Sequence, residues 1–368
     1  MQNAPPDAID THLVRRVLVI KLRHHGDVLL ASPVFTVLKA ALPSAEIDAL
    51  VYRETAPMLE GHPALAQLHS IDRDWKRRGF LVQLREELAL LRSFRARHYD
   101  LIVHLTEHPR GAWLTRLIRP RYAVGRELKD AHWLWRTSFS HYYRLPRARP
   151  RHMVECNLDA LRRLGLQPAI ADRRLVLVPS EPDRDRARAL LAQHGIESRR
   201  FIQLHPGSRW LFKCWTAEAY AALLGALCTE GWRIVVTGAP DERERRLVDE
   251  ILSLVPGQQR AGIVNLTGML SLRELAALTQ QARAFVGVDS APMHIAAAMR
   301  TPVVALFGPS GEAEWGPWQV THRVVASTEY PCRPCGNDGC GGGKVSECLT
   351  TLPVERVHSA LLQVLAES

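Results

Sequence analysis

The sequence predicts an α/β chain folded as two doubly wound domains facing across a cleft. Short, β-branched apolar runs recur along it, each with the length and composition of a strand buried on both faces. Helically spaced segments lie between them, and the alternation runs twice, interrupted by Pro179-Ser180-Glu181-Pro182-Asp183, which reads as a linker. At 368 residues the chain is long enough to bury two cores. The boundaries read as 1–179 for the first domain and 180–350 for the second. A C-terminal helix within 351–368 is expected to pack back toward the first.

The first strand is Arg16-Val17-Leu18-Val19-Ile20-Lys21-Leu22, largely apolar and without alternation. Gly26-Asp27 breaks it. Residues 28–42 then read as a helix with Asp27 as N-cap and Pro33 in its early part, where a missing N–H does least damage. A second strand falls at 47–52. Leu81, Leu84, Leu88 and Leu91 mark one face of an amphipathic helix, and 100–105 is another strand. The run 174–178 closes this half. After a helix over 184–193, strands read at 201–204, 233–237, 264–266, 284–288 and 303–307. One intervening helix opens with Ser271…Glu274, a capping-box spacing. Val354, Val357, Leu361 and Val364 give 353–365 helical spacing, and no short-period repeat is visible.

Lysine and arginine number 48 against 38 acidic residues, a formal net charge of +10. Such a balance favours acidic partners: phosphorylated glycolipid, an anionic membrane surface, nucleotide or nucleic acid. A merely soluble basic surface is the plainer alternative, and charge alone does not choose. The first ten residues carry neither a basic nor an apolar signal region, and no run of about 18 apolar residues is present to span a bilayer. A cytoplasmic enzyme able to rest on the membrane is therefore expected, in a compartment where its seven cysteines need not pair.

Three strand-to-helix turns read as one site for a sugar nucleotide, because such turns are where α/β sheets bind ligands. In Lys21-Leu22-Arg23-His24-His25-Gly26-Asp27, the glycine lets backbone approach a ligand. Asp27 is placed to take a proton from a hydroxyl attacking an anomeric carbon. Helix capping, worth on the order of 1 kcal/mol, competes with that role, and the helix dipole weakens Asp27 as a base. In His205-Pro206-Gly207-Ser208, the N–H groups of Gly207 and Ser208 and the serine hydroxyl suit phosphate oxygens. Lys213 adds a cation for a diphosphate leaving group, against the alternative of an exposed surface lysine. In Asp289-Ser290-Ala291-Pro292-Met293-His294, Asp289 or Ser290 caps a helix with proline in its first turn. Ser290 and Ala291 leave room for phosphate, and His294 lies one turn in, where a packed core histidine is the ordinary outcome. In Thr237-Gly238-Ala239-Pro240-Asp241-Glu242, Asp241 suits capping and Glu242 suits contact with a sugar.

Cys332, Cys335, Cys340 and Cys348 form a compact glycine-rich cluster. Four thiols so spaced can hold a structural zinc ion; unligated thiols or an occasional disulfide are the alternatives. The segment 113–149 interleaves Trp113, Trp133, Trp135, Tyr142 and Tyr143 with arginines. That pattern suits sugars and phosphates, anionic headgroups, stacked bases, or simply an irregular basic surface.

These motifs carry a resemblance. Lys21 to Leu30, Phe212-Lys213-Cys214-Trp215, and Val288-Asp289-Ser290-Ala291-Pro292-Met293-His294-Ile295-Ala296 followed by Leu306-Phe307-Gly308-Pro309 resemble the ADP-heptose:lipopolysaccharide heptosyltransferases. The likeness spans nearly the whole chain, and the His-His-Gly-Asp form is most similar to the heptosyltransferase III subgroup. It implies a GT-B fold of two Rossmann-like domains, an acceptor domain first and an ADP-heptose domain second. It also implies inverting transfer to phosphorylated lipopolysaccharide core at the anionic inner-membrane surface, with no cofactor and no catalytic metal. On this match Asp27 is the general base, with His24, His25 and Gly26 on the acceptor side. Lys213 binds the diphosphate and Glu242 the nucleotide; Asp289 meets the donor heptose, with Ser290, Ala291 and His294 around diphosphate and sugar. Heptosyltransferase I or II, or another GT-B glycosyltransferase, are the alternatives within the class. A nicotinamide-dependent oxidoreductase needs a Gly-x-Gly-x-x-Gly turn that neither Gly26 nor Gly207 begins. A basic nucleic-acid-binding protein with a zinc module is the non-enzymatic alternative, and nucleic acid is not the expected partner.

Overall fold

A computed structural model describes residues 5–145 and 150–367, so the stretch 146–149 of the aromatic, arginine-rich segment lies outside the described residues. The chain divides into two compact units, the first ending at Val178 and the second beginning at Pro179. In the first, strands β1 (Arg16–Ile20), β2 (Glu46–Tyr52), β3 (Gln67–Ile71), β4 (Leu101–His104), β5 (Tyr122–Arg126) and β6 (His141–Tyr143) form one sheet in the order β3-β2-β1-β4-β5-β6. In the second, β7 (Phe201–His205), β8 (Arg233–Val236), β9 (Ile263–Asn265), β10 (Ala284–Val288), β11 (Val303–Phe307) and β12 (His322–Ala326) take the order β12-β11-β10-β7-β8-β9. Every pairing is parallel. Counted from its own first strand, each sheet has the same 3-2-1-4-5-6 order, the doubly wound arrangement whose winding reverses beside strand 1.

The central strands are fully covered, as their uninterrupted apolar composition requires: Val17, Leu18, Val19 and Ile20, and likewise Phe285, Val286 and Val288, are buried. Among the buried polar side chains on these strands, Asp48 on β2 is well paired. Its buried carboxylate accepts from Arg97 Nε (2.9 Å) and Nη2 (3.0 Å) and from Tyr99 Oη (2.6 Å). Burial alone would raise its pKa, but these bonds and His69 outweigh it and hold the carboxyl below its ordinary value.

Several expectations are corrected. The single helix over 28–42 is two helices, His25–Leu29 and Ser32–Ala41, because Pro33 can only stand near the start of a helix and restarts the chain there. His24, not Asp27, occupies the N-cap position. The run 174–178 does close the first unit, which ends at Val178, but as extended chain outside the sheet, its Val176 N–H donating to Ser32 Oγ (2.9 Å). The linker is already helical by Glu181, since Ser180 and Asp183 build a capping box for helix Glu181–Gln193. Helix Val354–Ala366 contributes Val357, Leu361 and Val364 to the second unit's own core. Helix Phe80–Arg97 is where the amphipathic pattern placed it, yet Phe94 is its one buried residue among those described.

Candidate functional site

In each sheet the reversal of winding opens a crevice at the carboxyl ends of the two central strands. In the first unit these are β1 and β4. Lys21 directly follows β1, and its ammonium is buried, donating to the Leu105 carbonyl (3.2 Å) and to Asn157 Oδ1 (3.0 Å). Asn157, on helix Met153–Arg163, donates in turn to the carbonyl of Leu30 (3.0 Å), the C-cap of the helix that carries Asp27. The Leu22 N–H donates to Thr106 Oγ1 (3.0 Å). One asparagine thus ties the ends of two strands to the Asp27 helix. Burial pushes Lys21 down to about 8, with the charge of Asp27 opposing that shift.

Asp27 is half-buried in the first turn of His25–Leu29. It is not the cap, so the capping role that competed with chemistry does not consume its carboxylate. Gly26 accepts the Leu30 N–H through its carbonyl (2.9 Å), and His25 Nε2–H donates to the Glu54 carbonyl (2.7 Å). The acceptor-side candidates His24, His25 and Gly26 therefore frame one short helical turn with Asp27.

In the second unit the crevice lies between β7 and β10, where His205 is in register with Gly287. Lys213, on the short turn Leu211–Lys213, donates to Asp289 Oδ2 at 2.6 Å. Asp289 follows β10 and is nearly buried, whereas Lys213 keeps about a quarter of its side chain exposed (23%). Ser290 occupies the N-cap position of helix Ala291–Ala298, but its hydroxyl donates backward to the Val288 carbonyl (3.2 Å) and makes no capping bond. The first turn of that helix, free of a side-chain cap, is suited to an anion. Ser290 and Ala291 at its mouth are half-buried, and His294 one turn in is buried.

Gly207 and Ser208 leave β7 as a buried turn. Gly207 has no room for a side chain: a Cβ there would stand 2.5 Å from the Glu244 carboxylate. Glu244 is the acid this crevice gathers. Its Oε2 accepts the Ala239 N–H (2.7 Å) and lies 3.4 Å from His205 Nε2, while His205 Nδ1 lies 3.0 Å from Thr237 Oγ1. Asp241 caps helix Glu242–Leu254 by accepting the N–H groups of Arg243 and Glu244, as expected. Glu242, by contrast, is exposed at the carboxyl edge of the sheet, its carboxylate paired with Arg246 one turn on. The structure does not bring Glu242 together with Gly207; it brings Glu244 there, two residues later and on the inward face of the helix.

Burial alone would push Glu244 up, but the His205 hydrogen bond and charge and the Ala239 N–H outweigh it, so its carboxyl is held below the ordinary value. A group with a depressed folded pKa contributes stability that is present above its unfolded value and lost as pH falls through the folded one. Glu244→Gln is therefore expected to lower the melting temperature at neutral pH. The wild-type advantage should shrink progressively once pH falls below the ordinary carboxylate range. Melting curves of both proteins from pH 3 to 7 read this directly, and parallel curves would show that Glu244 takes no part.

Cys332, Cys335 and Cys340 are exposed and Cys348 is buried, and among the described residues no group of three His, Cys, Asp or Glu side chains is placed to hold a metal ion. Burial raises the Cys348 thiol, and the neighbouring thiols add to that. The sequence placed Lys21 in the first turn without a role of its own and left Asn157 and Glu244 unmarked. A lysine ending an apolar strand was the one available signal; the other two depend on contacts across the fold.

The sequence matches the family model of glycosyltransferase family 9 (heptosyltransferase) over residues 87–345. It is 32% identical to lipopolysaccharide heptosyltransferase 3 of Escherichia coli (strain K12) over 347 residues, 94% of this chain and 97% of that protein. A glycosyltransferase family 9 structure from Veillonella parvula superposes with a TM-score of 0.81 at 24% identity, covering 96% of this chain and 98% of that one. The structure of E. coli ADP-heptose lipopolysaccharide heptosyltransferase II superposes with a TM-score of 0.75 at 24% identity, covering 96% and 99%. These two share the fold.

Proposed function

Because the chain belongs to glycosyltransferase family 9, the heptosyltransferases, we propose that it transfers L-glycero-D-manno-heptose from ADP-heptose to the inner core of lipopolysaccharide, adding the branching heptose. The observation that carries the reading is the Lys213–Asp289 pair beside the uncapped start of helix Ala291–Ala298. It offers a cation, a carboxylate and helix N–H groups together, the set a diphosphate joined to a hydroxyl-rich sugar requires. Identity to heptosyltransferase 3 over nearly the full length of both chains supports the branching position.

In this reading the second unit holds the donor. Gly207, Ser208 and the N–H groups at Ser290 and Ala291 take the diphosphate, Asp289 and His294 the heptose, and exposed Glu242 a ribose hydroxyl after releasing Arg246. Asp27 of the first unit accepts the proton of the acceptor hydroxyl as that oxygen bonds to the anomeric carbon. The bond from that carbon to the diphosphate oxygen breaks on the opposite face, and its electron pair leaves with ADP. A β-linked donor thus becomes an α-glycoside. Lys213 meets the charge growing on the diphosphate, the role a metal fills in other transferases. No step involves the cysteine cluster or a cofactor. The reaction is assigned to the cytoplasmic face of the inner membrane, where the net charge of +10 favours anionic lipid.

Thermal shifts with ADP-heptose and with UDP-sugars test the donor, since a ligand bound only by the folded state raises its melting temperature. Stabilisation by ADP-heptose is expected, and a larger shift with a UDP-sugar would overturn the assignment. Mass spectrometry of core from cells lacking the protein tests the acceptor. Loss of the branching heptose alone is expected, and truncation at the first or second heptose would move the assignment to heptosyltransferase I or II.

A further inference from the structure

Helix Phe80–Arg97 leaves its apolar stripe uncovered. Phe80 and Leu81 are 77% and 79% exposed, and Leu84 and Leu88 are 43% and 41% exposed. Spaced at i, i+1, i+4 and i+8, these four lie along one side of the helix. Helix Pro109–Ile118 runs beside it, joined by the Arg110–Glu87 ion pair and by Arg95 Nε donating to the Leu117 carbonyl (3.4 Å). That helix exposes Trp113 (52%). One turn on, Arg116 sits over the ring of the exposed Trp133 at 5.4 Å and donates to Thr137 Oγ1 (2.7 Å). Exposed apolar and aromatic side chains therefore stand on neighbouring elements of one unit, where a packed helix would have buried its stripe.

The rim of this face is basic. Arg92 lies one turn beyond Leu88, Arg116 one turn beyond Trp113, and Arg119 ends the second helix; all three are exposed. Among the described residues none of the three forms an ion pair. Exposed tryptophan and phenylalanine beside arginines that lack carboxylate partners match the boundary of a bilayer. There aromatic rings sit at headgroup depth and guanidinium groups meet lipid phosphates.

We infer that this face docks the protein on an anionic lipid bilayer. The inference rests on the membrane location proposed above and names the surface that achieves it. Apolar side chains from Phe80 to Leu88 enter the headgroup boundary, and the arginines select negative lipid.

The test is co-sedimentation of the full-length protein with vesicles of phosphatidylglycerol and phosphatidylethanolamine, and with vesicles of phosphatidylcholine alone. Binding to the first and little to the second is expected. The triple variant F80S/L81S/L84S changes exposed positions only, and its vesicle affinity should fall about tenfold or more. R92E/R116E should erase the preference for anionic vesicles. Equal binding by the wild type and the triple variant, or equal binding to both vesicle types, would overturn the proposal. So would sedimentation velocity showing a wild-type dimer that the triple variant dissociates with vesicle binding unchanged, since a second copy would then own the face. Transfer to a soluble, delipidated acceptor is expected to be unaffected in these variants. Its absence from the wild type would count against the proposed reaction, leaving the vesicle results to judge the docking face separately.

Discussion

Asp27→Asn is expected to lower the rate of heptose transfer by roughly 10²–10⁴-fold, the usual contribution of a positioned general base, while ADP-heptose affinity stays unchanged. The separation of effects follows from where the residue stands. Asp27 sits in the first unit, on a short helix fixed by Asn157 through the Leu30 carbonyl, and the groups assigned to the donor all lie in the second. Asparagine keeps the shape of the side chain and loses only the ability to take a proton. Single-turnover transfer alongside calorimetric ADP-heptose binding checks both halves. Near-normal turnover would return Asp27 to a purely structural place in the helix. Asn157→Ala provides a graded comparison, since it loosens the Asp27 turn without touching the carboxylate.

Lys213→Ala is expected to slow transfer by about 10²-fold or more and to weaken donor binding, because diphosphate charge grows as the glycosidic bond breaks. A second effect comes with it. Asp289 is nearly buried and accepts from Lys213 at 2.6 Å, so removal of the lysine strands a carboxylate with poor access to water. The melting temperature should fall along with the rate. Lys213→Ala combined with Asp289→Asn removes the stranded charge, so the double variant should recover stability but not transfer. Unchanged donor affinity in Lys213→Ala would exclude the diphosphate role.

The central strands of the second sheet were readable almost to the residue, as β10 at Ala284–Val288 and β11 at Val303–Phe307 illustrate. Strands covered on both faces have no polar positions to blur them. The first sheet was harder, because β3 (Gln67–Ile71) carries glutamine, histidine and serine and β6 (His141–Tyr143) is three residues long. Both are edge strands, where composition is relaxed and pattern fades. The site divides in the same way. Asp27, Gly207, Lys213 and Asp289 stand at strand-to-helix turns that sequence marks directly. Asn157 meets Lys21 across 136 positions, and Glu244 was hidden by Glu242, two residues nearer the turn. A helix places those two acids on different faces, and which face turns inward is set by the fold.

The repeated 3-2-1-4-5-6 strand order has a consequence for how such a chain can diversify. Each sheet owns a complete crevice, built from its own strand ends and supported by its own core. Loops that choose one substrate can be rewritten without disturbing the framework that seats the other. On the proposed division of substrates, heritable change in acceptor preference would need to touch only the turns after β1, β4, β5 and β6, leaving the second crevice intact. The molecule is in this sense two separately supported parts on one backbone.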